Sequence, residues 1–305
     1  METNLTGIIA APYTPFDENG EINLKIISKY ADYLKKNGVS GAFVCGTTGE
    51  GLLMSIEERK AVAAEWMKHR DDQFKIIVHV GATSYKDASS LTRHACEIDA
   101  DAFSAMGPLF LKPDHVDDLI SYCQEIAQAG ASKPFFYYHI PSVSGVNLPM
   151  VEFLNKAESK IPNLAGIKFT HNNMMEMQLC MNLNDKKWNI LHGQDETLLA
   201  GLTLGAKGGV GSTYNYMAPL YIKIIEAYNN GDIESAANYQ LLAAKFISYL
   251  IKYGGGVIGG KPLMKLVGVD CGQLRTPCRN NTSEDIKEFE KAIMALDLLQ
   301  YFHQS

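Results

Sequence analysis

The chain has 305 residues, of which 46% are hydrophobic and 20% are charged, and its formal net charge is −6. This is the composition of an ordinary globular protein, and a negative charge without any dense lysine or arginine run argues against nucleic acid or an anionic membrane as a partner. No signal peptide and no bilayer-spanning segment is expected, and six cysteines without CxxC spacing predict reduced thiols in a cytoplasmic protein.

Short β-rich runs alternate with helix-length segments nearly to residue 230. An α/β fold is predicted, a (β/α)8 TIM barrel that forms the catalytic domain over residues 1–230. A doubly wound sheet is less favoured, because residues 10–15 lack the glycine fingerprint that should follow its first strand. The eight runs predicted as strands are residues 7–11, 41–45, 75–80, 102–106, 135–138, 164–170, 188–191 and 207–211.

Helix start signals lie between these runs. Ser55 and Glu58 have the spacing of a capping box, and Ser84 and Asp114 stand where N-cap residues belong. The apolar residues between positions 24 and 34 recur at helical spacing. These signals predict one helix after each of the first four strands.

Beyond residue 230 the alternation stops, and residues 231–305 are predicted to form a C-terminal helical extension packed on the barrel, with helices over 232–253 and 283–302. The glycine-rich segment between them nearly matches a phosphate-binding loop, GxxxxGK from Gly255 to Lys261. However, Pro262 replaces the residue that would bind Mg²⁺, and no strand precedes the segment. It is therefore predicted to be a flexible connector and not a nucleotide site.

The sixth strand contains a lysine, Lys168, within an apolar run. In a buried parallel strand an ammonium group loses its water, which depresses its pKa and leaves an amine able to attack a carbonyl. Lys168 is therefore a candidate Schiff-base nucleophile at the mouth of the barrel. Two alternatives stay open at this point, a head group that reaches solvent and an ion pair with a neighbouring carboxylate.

Polar residues follow several strands at the end where a barrel carries its active site. The turn over residues 46–51 holds Thr47 and Thr48, whose hydroxyls and backbone amides suit a carboxylate, although it is also typical of a simple tight turn. In the fifth strand, alternation must direct either Tyr137 or Tyr138 inward, toward Lys168. A phenol there could carry protons or could simply be packed.

The seventh and eighth strands are followed by an acidic segment and a glycine-rich segment. Asp195 and Glu196 could bind a polyol together with Ser212 and the open backbone at Gly211. Alternatively, the two carboxylates only favour the N-terminus of the next helix.

Two other classes of function have some support in the sequence. A metal-dependent barrel enzyme would place ligands where four histidines lie, but their spacing matches no metal motif. A non-catalytic sensor of sugar acids is also compatible with the fold, because fold does not determine function. The four histidines are His79, His139, His171 and His192.

Four segments together resemble the dihydrodipicolinate synthase and N-acetylneuraminate lyase superfamily of class I aldolases, in the order and at the spacing of that family. They are residues 46–50, 138–141, 166–170 and 208–215, and the resemblance runs from Gly7 to about Leu299. Residues 193–196 and 211–215 are similar to the N-acetylneuraminate lyase branch. The lack of arginine between Arg93 and Arg275 counts against an amino-dicarboxylate substrate.

The resemblance implies that Lys168 forms an iminium with the C2 ketone of N-acetylneuraminate, a sialic acid, and that cleavage yields N-acetylmannosamine and pyruvate. The nearest alternative in the superfamily is an aldolase for another 2-keto-3-deoxy sugar acid. Tyr138 is implied as the proton carrier, oriented by Thr47, and Thr47 and Thr48 as carboxylate ligands. No metal and no organic cofactor is required. The residues implied to bind the rest of the sugar are Thr170, Gly193, Asp195, Glu196, Gly211 and Ser212.

The resemblance also implies a homotetramer. Family members often contribute a tyrosine across the subunit interface from the loop after the fourth strand, and Phe110 stands in the matching segment here. Because a phenyl ring cannot relay a proton, any relay is expected to run through Thr47, Tyr138, water or the substrate carboxylate.

Overall fold

A computed structural model of the protein describes residues 5–302. Eight parallel strands close into one barrel in sequence order, and the last strand pairs with the first. The TIM barrel is therefore confirmed, and each predicted strand agrees with an observed one to within one residue at either end. The strands are β1 (Gly7–Ala10), β2 (Gly41–Val44), β3 (Lys75–His79), β4 (Ala102–Met106), β5 (Phe135–His139), β6 (Leu164–Phe169), β7 (Asn189–His192) and β8 (Gly208–Gly211).

Helices follow the strands and continue beyond the last one. Short 3-10 turns lie at Gly51–Leu53, Asp195–Thr197, Lys261–Val267 and Leu299–Tyr301. The helices in the described part of the chain are α1 (Lys25–Lys36), α2 (Ile56–Met67), α3 (Tyr85–Glu97), α4 (Val116–Gln128), α5 (Pro141–Ser144), α6 (Met150–Ala157), α7 (Met174–Asn182), α8 (Leu198–Leu204), α9 (Tyr214–Asn229), α10 (Ile233–Lys252), α11 (Gly255–Ile258) and α12 (Ser283–Ala295).

The helix start signals are confirmed in two of three cases. Ser55 and Glu58 form a reciprocal capping box at α2, and the Ser84 side chain accepts a hydrogen bond from the backbone of Lys86 at α3. The prediction for Asp114 is wrong. Helix α4 begins one residue later than that cap requires, and His115 takes the cap position in an extended conformation.

Apolar residues form two layers on the two faces of the sheet, as strand alternation requires. One set fills the barrel interior, and a larger set packs between the strands and the surrounding helices. The two tyrosines of β5 separate accordingly. Tyr137 packs outward against Phe153, with 4.9 Å between ring centroids, whereas Tyr138 belongs to the interior set. The inward phenol is therefore Tyr138.

The prediction of a flexible connector over residues 254–262 is wrong, because this segment contains α11 and the start of a 3-10 turn. Its glycines allow a close approach to the barrel. A Cβ atom on Gly256 would lie 2.3 Å from Ser212 Oγ, and one on Gly260 would lie 2.0 Å from the Tyr13 hydroxyl. A glycine run that looks like a hinge in the sequence is therefore a packing surface.

The remaining C-terminal predictions agree in part with the structure. Asp232 caps α10, whose observed range lies within the predicted one, but α12 ends at Ala295 and not near residue 302. The boundary between barrel and extension at residue 230 stays a prediction. Residues 1–4 and 303–305 lie outside the described part of the chain. The first of these segments belongs to the N-terminal region for which no signal peptide is predicted. Within residues 5–302, no helix is long and apolar enough to span a membrane.

Candidate active site

A cavity of about 310 Å³ lies at the carboxyl ends of the strands. All residues that were predicted from the sequence to form the site line this cavity. Its wall also contains residues of the C-terminal extension that sequence reasoning missed, because α11 was taken for a connector and α10 for a packing helix. The nominated residues that line the cavity are Thr47, Thr48, Tyr138, Lys168, Thr170, Gly193, Asp195, Glu196, Gly211 and Ser212, and the missed ones include Ile247, Leu250, Ile251, Gly256 and Val257.

Lys168 enters the cavity from β6, directly beside Tyr138 of β5 in the strand register. Its side chain is 4% exposed, and its Nζ lies 4.0 Å from the ring centroid of Tyr138 and 4.1 Å from that of Phe43. Burial lowers the pKa of Lys168 to about 7, an effect that the negative charge of Asp195 only partly offsets. The ammonium thus has aromatic faces around it and no ion pair with a described carboxylate, so both open alternatives, solvation and pairing, are wrong.

The phenol of Tyr138 is buried next to this amine. Burial raises the pKa of Tyr138 to about 12, against the opposing effect of the nearby Thr47 and Thr170 hydroxyls. The phenol is therefore protonated near neutral pH and can donate a hydrogen bond. Thr170 Oγ1 is buried close to this phenol and forms no hydrogen bond of good geometry among residues 5–302, so its hydroxyl can turn to Tyr138 or to a ligand in the cavity.

The turn after β2 lines the cavity with Thr47 and Thr48. Its ends are closed by hydrogen bonds from Gly51 N to Gly46 O, at 3.0 Å, and from Glu50 N to Thr47 O, at 3.1 Å. The amides of Thr47 and Thr48 donate to no acceptor among residues 5–302. Two unpaired amides with two hydroxyls on one wall form a site suited to a carboxylate, which favours the anion-binding interpretation over a simple turn.

Asp195 lies in the 3-10 turn after β7 and is 5% exposed. Its Oδ2 accepts hydrogen bonds from Thr213 N at 2.8 Å and Thr213 Oγ1 at 2.6 Å. Burial raises the pKa of Asp195 to about 6, although the bonds from Thr213 oppose that change. Gly211 is required beside it, because a Cβ there would lie 1.6 Å from Asp195 Oδ1. One carboxylate oxygen is thus occupied by the protein.

The C-terminal extension supports this acidic segment directly. Gln240 of α10 donates its side-chain amide to Asp195 O at 3.1 Å and accepts the backbone amide of Leu199 at 2.8 Å. The hydroxyl of Tyr221 lies 2.6 Å from Thr213 Oγ1, behind the carboxylate. The sequence offered no signal for Gln240, because an isolated glutamine on a helix carries no motif.

The four histidines that suggested a metal enzyme do not converge on one point: His139 and His171 lie together, with 5.4 Å between ring centroids, and the other two lie elsewhere. His79 lies inside the barrel, 5.9 Å from Tyr138 between ring centroids, and burial holds its pKa well below the usual value. His192 contacts Met177 and Thr197. No group of three or more metal-ligating side chains is present within the described residues.

Comparison with known proteins gives a consistent set of relatives. A family model described as the dihydrodipicolinate synthetase family matches residues 4–296. The N-acetylneuraminate lyase of Rattus norvegicus is 42% identical over 97% of this chain and 94% of its own length. The solved N-acetylneuraminate lyase of Proteus mirabilis is 44% identical with a TM-score of 0.93, covering 97% of this chain and 99% of its own. The solved N-acetylneuraminate lyase (sialic acid aldolase) of Aliivibrio salmonicida is 44% identical with a TM-score of 0.94, and the match covers 99% of this chain and 100% of that one.

Proposed function

The chain belongs to the dihydrodipicolinate synthetase family, and on this premise we propose that it cleaves N-acetylneuraminate reversibly to N-acetylmannosamine and pyruvate through a Schiff base on Lys168. It is a carbon–carbon lyase of the aldehyde-lyase class. Its small-molecule ligands are the sialic acid and the two products.

The observation that carries this proposal is the state of Lys168. An amine with a pKa of about 7 is substantially neutral at physiological pH and can attack the C2 ketone of the open-chain substrate. Loss of water then gives an iminium, which accepts the electrons released when the C3–C4 bond breaks. The aromatic faces of Phe43 and Tyr138 attract the cationic nitrogen that forms in this step.

Thr47 and Thr48 hold the substrate carboxylate through their amides and hydroxyls, on the wall next to Lys168. Placing the anion there sets the C2 carbon near the amine. Preorganised donors of this kind need no rearrangement during the reaction.

Tyr138 carries the protons. Its phenol donates a proton as the carbinolamine loses water, and the resulting phenolate takes the proton of the C4 hydroxyl as the C3–C4 bond breaks. Thr47 orients it, in keeping with the effect of its hydroxyl on the pKa of Tyr138. Because the phenol belongs to the same chain as Lys168, this step does not depend on Phe110.

The opposite wall recognises the sugar. The buried Thr170 hydroxyl, the free oxygen of Asp195 and the carboxylate of Glu196 accept or donate hydrogen bonds to the hydroxyl groups. Gly193 and Gly211 allow the chain of the sugar to approach the backbone closely, and Ser212 adds a hydroxyl from the start of the β8 loop.

The protein forms a homotetramer in the cytoplasm under this proposal. Phe110 is 85% and Leu111 81% exposed, and an apolar cavity of about 290 Å³ lined by Leu52, Met106 and Val143 lies on the same barrel face. A protruding apolar group and an apolar cavity on one face are typical of a self-complementary interface. The cysteines, all six of them unpaired, fit a reducing compartment.

The function is tested by measuring pyruvate release from N-acetylneuraminate in a coupled lactate dehydrogenase assay. Other 2-keto-3-deoxy acids are run in parallel, so that the nearest alternative substrates are measured with the same enzyme. Borohydride added with pyruvate should leave a reduced three-carbon adduct on Lys168, detected by peptide mass spectrometry. An unlabelled Lys168, or activity that a chelator abolishes and a metal restores, would overturn the Schiff-base mechanism.

A further inference from the structure

A second buried lysine, Lys261, is the residue that completed the near-match to a phosphate-binding loop. Its Nζ donates to Glu50 Oε1 at 2.7 Å, and both side chains are 1% exposed. The same ammonium donates to Gln273 O at 2.9 Å. It also lies 4.3 Å from the ring centroid of Phe16. The ammonium is therefore buried against Glu50, Gln273 and Phe16 and does not project into a nucleotide site.

Glu50 belongs to the turn over residues 46–51 that also carries Thr47 and Thr48. Its backbone lies in the left-handed region, at φ 55° and ψ 33°, which is unfavourable for a residue with a Cβ atom. Its second oxygen accepts the backbone amide of Arg275 at 2.8 Å. Both carboxylate oxygens are thus bound by the C-terminal extension, and the side chain holds the backbone in this conformation.

A second side chain anchors the same turn from its other side, where Thr14 Oγ1 donates to Gly49 O at 2.6 Å. The Thr47 carbonyl accepts the amide of Glu50, so a shift of Glu50 is transmitted directly to Thr47, which lines the cavity. Lys261 is the cation that keeps Glu50 in place.

We propose that Lys261, through its buried ion pair with Glu50, is a positioning residue that aligns the carboxylate-binding turn. Lys261 does not touch the substrate in this role, which rests on the function proposed above. It makes the C-terminal extension part of the substrate site, because the extension determines where the Thr47 and Thr48 amides point.

A merely structural ion pair would change stability without a selective effect on one substrate. A positioning role predicts that, in the condensation direction, the KM for pyruvate rises while the KM for N-acetylmannosamine does not, because the carboxylate enters with pyruvate. Lys261→Met should raise the pyruvate KM roughly tenfold or more, in line with the effect of small misplacements in active sites. The kcat at saturating pyruvate should stay within about threefold, since Lys168 and Tyr138 are untouched.

Lys261→Met alone leaves a buried, uncompensated carboxylate and can compromise folding. The double variant Glu50→Gln/Lys261→Met removes both charges, so its melting temperature should recover toward that of the wild type. Its pyruvate KM should stay raised, because the turn still lacks its anchor. This separation of stability from KM is the decisive result, and it is measurable even if the single variant does not fold.

Lys265→Met is the control, because it removes a lysine of the same 3-10 turn whose exposed ion pair is with Asp270 and not with Glu50. It should leave both KM values unchanged. A pyruvate KM that recovers together with stability in the double variant would overturn the positioning role. The proposed function has its own test: if the wild type is not labelled by pyruvate and borohydride, that function fails independently of Lys261.

Discussion

Lys168 should destabilise the folded protein, and replacing it with methionine should therefore make the protein more stable while abolishing activity. The ammonium is 4% exposed and has aromatic contacts but no ion pair among the described residues. Methionine has a similar length and fills the same space without a charge. This outcome is unusual, since most substitutions of buried residues destabilise a protein.

The size of the effect follows from the pKa. The pKa of Lys168 falls from 10.5 in the unfolded chain to about 7 in the folded one. At about 1.36 kcal/mol per pH unit, the fully charged side chain lowers the free energy of unfolding by roughly 5 kcal/mol. The unfolded chain binds the proton more tightly, so wild-type stability rises with pH between about 7 and 10.5. The gain from Lys168→Met should then be about 4 kcal/mol at pH 7 and about 2 kcal/mol at pH 9.

Urea unfolding of both proteins at pH 7, 8 and 9, at one protein concentration, measures this difference. Lys261→Met is the control with the opposite sign, because it removes a lysine that is equally buried but paired, and it should lose about 3–5 kcal/mol. Equal or lower stability of Lys168→Met at pH 7 would refute the reasoning. So would a gain that does not shrink as the pH rises.

Three further outcomes concern activity. The kcat/KM for N-acetylneuraminate should rise as the pH passes through about 7 and should level off at higher pH, because the neutral form of Lys168 is the one that reacts. A flat pH profile between pH 6 and 9 would contradict this. Tyr138→Phe should lower kcat by about 10²–10⁴-fold with little change in the KM for pyruvate, as expected for a lost proton carrier, and steady-state kinetics decide it. Gly211→Ala should raise the KM for N-acetylneuraminate, since the new Cβ would lie 1.6 Å from Asp195 Oδ1, while pyruvate and borohydride still label Lys168. Gly231→Ala, whose new Cβ meets no atom within 4 Å but whose φ of 78° strains the backbone, is the control for a loss of stability without a change in KM.

The barrel was predictable because its signals are local and repeated. Each strand is a short apolar run bounded by turn formers, and alternation within β5 requires one of Tyr137 and Tyr138 to face inward, next to the strand of Lys168. Parallel strands in a closed barrel end on the same face. Residues far apart in the sequence, such as Thr47 and Asp195, are therefore expected around one cavity once the strands are assigned.

The parts that could not be predicted depend on contacts between distant segments. The glycines of residues 254–260 have the composition of a flexible loop, and only the proximity of the Tyr13 hydroxyl and Ser212 shows that they allow close packing. The contact of Gln240 with the backbone of Asp195 spans 45 positions, and no periodic pattern in α10 indicates it. Asp114 failed as a cap for a smaller reason, since helix boundaries shift by a residue or two.

Lys168 and Lys261 show why burial alone does not identify a catalytic lysine. Both are almost completely buried at the carboxyl end of the barrel, and both lie over an aromatic ring. Lys261 has a carboxylate at 2.7 Å, which compensates its charge and opposes the burial that lowers its pKa, whereas Lys168 has only π-faces and a more distant Asp195. The absence of a close partner leaves Lys168 with a neutral, nucleophilic fraction at physiological pH. The paired lysine stabilises the turn that receives the substrate, and the unpaired lysine is left free to react with it.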